Sequence, residues 1–277
     1  MAKIIVTHRH VDLDALCSVW LIKRFLPSWS EAKIDFVPVG QTLRGAPPDD
    51  DLDILHVDVG GGKLDHHRFY GEYSSAAHLA LEKILNEREF SKLAKEALKR
   101  LVEVVTEVDN GRMITWENAS SDRYEFCLHQ FLPKLSGKDE EIVHLGLNCL
   151  DAVFRSLREK IAAEEAVEKE GRVFRTRWGK AVAVETAVDE VLSVGQKKGY
   201  VLVAKKDPRS GHLRIYGRWD KELDLTRAYE ELKKKDPLAT WYLHPSKRLL
   251  LNGSRTSPGI MPTKLSLSEI IKILKNA

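Results

Sequence analysis

Residues 7–18 read THRHVDLDALCS, with two histidines and two aspartates crowded between positions 7 and 14, directly after the apolar run KIIV and before ALCSVWLIKRFL. The first flank has strand character, and the second carries apolar positions at helical spacing. A strand that passes directly into a helix opens an α/β unit, which points to a parallel sheet with helices on its faces. KIDFVPV (33–39) and DILHVDV (53–59) supply further short strands, and SSAAHLALEKILNE and SKLAKEALKRLVEVVTEV read as helices, the first capped by Ser74 or Ser75. The junction in 7–18 then lies at the carboxyl end of a strand, where the ligand crevice of such a sheet forms. The expected fold class is α/β: an N-terminal parallel-sheet domain over 1–137, a helical connector over 138–171, and a smaller α/β domain over 172–277.

Composition narrows the classes. The 277 residues, 43% hydrophobic, are enough for two cored domains. No uncharged apolar stretch reaches the length of a membrane span, and MAKIIVTHRH is too short and polar for a signal peptide, so a cytoplasmic location is the expectation. Three scattered cysteines without a C-x-x-C exclude a disulfide framework. Net charge is +3, but it divides unevenly: residues 172–277 carry 22 Lys and Arg against 11 Asp and Glu, a balance of +11, which leaves −8 for residues 1–171. A basic domain joined to an acidic one suggests that the first attracts a polyanion while the second holds cations.

The acidic clusters recur at strand ends. His8, Asp12 and Asp14 follow the first strand; Asp58 ends another, with Asp65, His66 and His67 within nine residues; Asp109 ends a helical run. Carboxylates brought together in this way repel one another unless cations neutralise them. Two divalent metals are the sensible cations, and mixed imidazole and carboxylate ligands suit manganese first, with Co2+ and Zn2+ as alternatives and Mg2+ less favoured. Taken singly, Asp12 or Asp14 reads as a helix cap and His56 as a strand filler.

H-x-x-x-D-x-D-A followed by L-C-S, then V-D-V-G, D-H-H and V-D-N-G, resembles the four motifs of the DHH phosphoesterase superfamily, in order over residues 4–111. The resemblance implies that His8 and Asp12 bind one metal, Asp14, His66 and Asp109 the other, and that Asp58 bridges them. It also implies that His67 contacts the substrate phosphate and that Asp65 orients the histidines. DVGGGKLDHHRF, YSSAAHLALEKIL and EVDNG resemble the melanocyte-proliferating-gene type of exonuclease, although the first motif keeps the ordinary DHH form.

In such enzymes the second domain grips the rest of the ligand. Gly253, Ser254 and Arg255 in LLLNGSRTSPG stand where a glycine-rich loop belongs, without its usual histidine. Arg214 and Arg218 alternate on a strand beside Tyr216 and Trp219, with Trp241, Tyr242, Lys247 and Arg248 farther on. Cations interleaved with rings suit single-stranded nucleic acid. The expected activity is hydrolysis of single-stranded RNA or DNA or of short oligonucleotides by a two-metal phosphodiesterase, with a homodimer as one arrangement open to it. A pyrophosphatase-like phosphoanhydride hydrolase and a non-catalytic nucleotide-binding module are the alternatives.

Overall fold

The computed structural model describes residues 2–68, 73–253 and 260–277, so Ser254 and Arg255 of the expected glycine-rich loop lie outside the described residues. The chain forms two compact units, Met1–Arg158 and Glu159–Ala277.

The first unit is built on a three-stranded parallel sheet in the order β2-β1-β3, with β1 at Ile4–His8, β2 at Lys33–Val37 and β3 at Ile54–His56. Ile5 pairs with Ile34 on one side and Leu55 on the other. α1 (Leu13–Phe25) begins as the sequence suggests: Asp12 accepts a hydrogen bond from the Ala15 amide at 2.9 Å, and Lys23 and Arg24 sit in the last turn, where positive charge suits the dipole. Leu13 through Ile22 are buried without a break, so α1 is a core helix covered on all sides. α2 (Ala76–Glu87) is capped by Ser75, and α3 (Lys92–Asp109) by Ser91. The next segment, 112–135, consists of short 3-10 turns and the four-residue α4 (Leu128–Phe131). It lacks a sustained period, and Ile114 and Phe126 remain exposed there.

The long helix α5 runs from Asp139 to Glu170, as the helical pattern suggests. It is divided between the units rather than standing between them. Val143, Leu147 and Leu150 join the core of α1 to α3, whereas Ala163, Ala166 and Val167 pack in the second unit. A Cβ at Gly146 would lie 2.4 Å from Leu16 Cδ2, so this glycine sets how closely α5 lies on α1.

The second unit holds a six-stranded sheet in the order β4-β5-β6-β7-β9-β8: β4 Arg172–Thr176, β5 Gly179–Glu185, β6 Leu202–Lys206, β7 Leu213–Gly217, β8 Tyr242–Leu243 and β9 Leu249–Asn252. Among the described residues of this sheet only β5 and β6 pair in parallel, and α6 (Val191–Lys197) forms their crossover. α7 (Thr226–Lys235) and the capping-box helix α8 (Leu267–Asn276) help to complete the core with Leu232, Ile270 and Leu274. β4 shows little strand signal in its residues, because its arginines and exposed Val173 mask a strand that buries only Phe174 and Thr176.

Candidate metal centre

The carboxyl end of β1 delivers His8. Its Nδ1 donates to the Arg9 carbonyl at 2.9 Å, which turns Nε2 toward the cluster, 3.3 Å from Asp58 Oδ2 and 3.7 Å from Asp12 Oδ2. Asp58 follows β3 and the isolated bridge of Val57 to Leu64. It is buried and has a φ of +56°, a left-handed conformation uncommon outside glycine and one that recurs where function demands a fixed side-chain direction.

Asp14 enters from the first turn of α1, and its carboxylate accepts from the amides of Ala76 and Ala77 at 2.7 and 2.8 Å. The N-terminus of α2 thus holds Asp14 in place. The Ser75 hydroxyl, which caps that helix, also bonds Thr106 on α3 at 2.9 Å. His66 Nε2 lies 3.5 Å from Asp109 Oδ2, 3.6 Å from Asp58 Oδ1 and 3.7 Å from Asp14 Oδ2. Asp65 accepts from the Gly61 amide through Oδ2 and from the His67 amide and Nδ1 through Oδ1, the last at 2.9 Å.

Three overlapping groups therefore have donor atoms within 4.8 Å of one another: His8, Asp12 and Asp58; Asp14, His66 and Asp109; Asp58, His66 and His67. The donor set fits a divalent cation on two further grounds. Asp58 Oδ1 and His66 Nε2 are buried without a hydrogen-bond partner, an arrangement folded proteins rarely leave uncompensated. The protonation equilibria are also those of a site short of positive charge. Burial, then the charges of Asp58 and Asp12, pushes Asp109 up to about 7. Burial, then Asp58 and Asp109, drives Asp14 well above the carboxylate range, and burial also raises Asp58. At His8 burial opposes the charged form, but hydrogen bonds to Asp12 and Asp58 prevail and push it up to about 11. Burial lowers His66, as a neutral ligand requires.

The family model for the C-terminal domain of ChrB matches residues 5–157. The chain belongs to the ChrB C-terminal domain family. The match covers more than half of the chain and includes every residue of the cluster. No curated protein matches the chain. Solved structures similar to this ChrB-family chain include a DHH-domain protein described as a member of a family of ribosomal proteins, at 10% identity and a TM-score of 0.35, covering 99% of this chain and 86% of that one. RecJ from Thermus thermophilus in complex with Mg2+ is another, at 13% identity and a TM-score of 0.33, covering 99% of this chain and 49% of that one. The melanocyte-proliferating-gene branch suggested by the sequence gains no support from these matches.

The remaining expected site residues lie in the second unit. Arg214 Nη2 is 2.9 Å from Asp189 Oδ1, and Asp189 also holds the buried Lys205; Arg218 is forked onto Asp220. Gly253 has a φ of +86°, and a Cβ there would meet the His212 ring at 2.6 Å. Tyr216 and Trp241 pack against cores, whereas Trp219 is 82% exposed. Two features have no clear signal in the sequence: the backing of Asp14 by the α2 amides, and the place of Arg9, His10 and Lys138 in the lining of a cavity of the first unit. No helix among the described residues is long and apolar enough to cross a membrane.

Proposed function

We propose that the N-terminal unit is a two-metal phosphodiesterase acting on single-stranded nucleic acid or short oligonucleotides, with manganese as the first metal to test. The observation that carries this reading is the convergence of His8, Asp12 and Asp58 with Asp14, His66 and Asp109, the buried Asp58 turning one oxygen toward each group. Two divalent cations, once bound, would supply the Lewis-acid charge and the acidification of water needed for displacement at phosphorus.

The protein's own contribution is positioning. The Arg9 carbonyl fixes the His8 tautomer, and the Ala76 and Ala77 amides fix Asp14. His67, tied through Nδ1 to Asp65 and with its side chain 67% exposed, presents Nε2 to a phosphoryl oxygen. Burial opposes its charge, but the hydrogen bond to Asp65 and the charge of Asp58 raise its pKa, which favours the cationic form that an anionic phosphate needs. The +11 balance of residues 172–277 supports a polyanionic substrate.

The test is a metal-stripped sample supplied with manganese and offered a labelled single-stranded oligonucleotide, a dinucleotide, a cyclic dinucleotide and pyrophosphate in parallel, with Asp58→Asn as control. Manganese-dependent loss of the oligonucleotide that disappears in Asp58→Asn is the expected result. Turnover of pyrophosphate alone would replace the reading with a phosphoanhydride hydrolase, and no turnover at all would favour a binding module.

A further inference from the structure

The N-terminal unit contains a cavity of about 630 Å3 lined by Arg9, His10 and Val11 but by none of the candidate ligands themselves. One wall is the loop of Arg9, His10 and Val11, which joins two of the candidate ligands, His8 and Asp12. The other is the turn at Leu135–Lys138 with the start of α5, and the His10 amide donates across to Asp139 Oδ1 at 3.2 Å. His10 holds a left-handed φ of +57°, so the wall nearest the cluster is a fixed turn rather than a continuation of β1.

We propose that this cavity is a nucleoside subsite, taking the sugar and base attached to one oxygen of the scissile phosphate; the proposal rests on the phosphodiesterase reading of the neighbouring metal centre. Its size lies within the range of about 300–1,000 Å3 typical of small-molecule sites, and a bare pyrophosphate would leave most of it empty. Its chemistry is mixed in the way a nucleoside requires. Phe36 and Ile142, each half-buried against the core, and the exposed Arg9 are among its lining residues, and an aromatic ring and a guanidinium are the groups on which a base stacks. Asp35 and Glu140 are acceptors for ribose hydroxyl or base amino hydrogens, and Lys138 brings a positive charge for an adjoining phosphate. Asp35, Asp139 and Glu140 outnumber Arg9 and Lys138 in the lining, so the balance is not the strongly positive one that a tetra-anionic pyrophosphate would need, whereas a nucleoside carrying a single phosphate can use both the acceptors and Lys138.

The test begins without metal, so that it does not depend on turnover. Adenosine and uridine 5′-monophosphates, with pyrophosphate as the control, are titrated into the metal-free full chain and followed by amide chemical shifts. Both nucleotides should move the Phe36, His10 and Ile142 amides, pyrophosphate should not, and Ser136→Trp, which places an indole at the exposed cavity rim, should weaken binding about tenfold or more. Nucleotides that leave these amides unmoved, or bind Ser136→Trp as well as the native chain, would overturn the subsite. In the manganese-loaded protein, the ratio of kcat/KM for a dinucleotide to that for bis(p-nitrophenyl) phosphate should fall about tenfold in Arg9→Ala and in Ser136→Trp, mainly through KM. An unchanged ratio with both substrates turned over would also count against the subsite. Nucleotide binding that persists with no diester turnover would instead remove the phosphodiesterase reading and leave the subsite standing.

Discussion

Asp58 and Asp109 show how the same residue type carries two different loads. Asp58 is buried and faces both His8 and His66, so replacing its charge disables both groups at once. Asp58→Asn is expected to reduce manganese-dependent hydrolysis at least about a hundredfold, and to abolish the rise in Tm on adding manganese, read by thermal scanning. Asp109 sets a pH dependence in the metal-free protein. Its folded pKa near 7 exceeds the ordinary 3.8, so the folded chain keeps a proton that the unfolded chain releases. The stability this contributes is complete below about pH 4 and is lost as pH rises toward 7. His8, raised from 6.5 to about 11, adds a loss that begins above 6.5, while the lowered His66 works in the opposite direction. Asp109→Asn isolates the first effect: in chelator-treated protein its Tm relative to the native chain should increase from pH 5 to pH 8. A flat difference would show that Asp109 does not titrate in this range. Asp65→Asn should lower turnover about 10- to 100-fold through loss of the hold on His67.

At the scale of elements, one contact supports the cluster and another sets the packing of α5 on α1. The cap of α2 matters twice, because Ser75 satisfies the His78 amide and grips Thr106 while the next two amides bind Asp14. Ser75→Ala should cost about 1 kcal/mol of stability, with a further loss of manganese affinity read by calorimetry. Gly146→Ala forces a methyl against the branched end of Leu16, in a helix-on-helix contact with no slack. Overpacking of this kind costs about 1–3 kcal/mol, and denaturant unfolding should report it despite the better helix propensity of alanine. Elements with a strong period, such as α1, α3 and α5, follow directly from the chain. The 112–135 segment and β4 do not, because their shape comes from packing partners remote in sequence rather than from their own pattern.

At the scale of the whole molecule, charge separates into an acidic part that carries the cluster and a basic remainder. If residues 172–277 draw in a polyanion, the KM for a long oligonucleotide should rise steeply with salt and that for a dinucleotide only slightly, since fewer phosphates are neutralised. A stopped assay between about 50 and 200 mM salt measures the difference. Of the basic side chains in this stretch, Lys205, Arg214, Arg218 and Lys247 are each engaged by Asp189, Asp220 or Asp224, carboxylates that the +11 balance already subtracts, so the attraction falls to the remaining lysines and arginines. A salt slope equal for both substrates would remove the basic unit from substrate attraction.

The sequence by itself determined the α/β class, the helix that follows His8 and the residue types that gather at strand ends. Periodicity and capping act over a few residues, and carboxylates spaced along strand termini have few other uses. Tertiary structure alone decided that the α2 amides hold Asp14, that Asp58 adopts a left-handed turn between two histidines, and that Arg214 and Arg218 are paired with carboxylates. It also decided that the Arg9–Val11 loop and the start of α5 line one cavity. Apart from the local Arg218 to Asp220 pair, each of these joins groups separated in the chain or depends on a single backbone angle, and packing rather than local pattern fixes both.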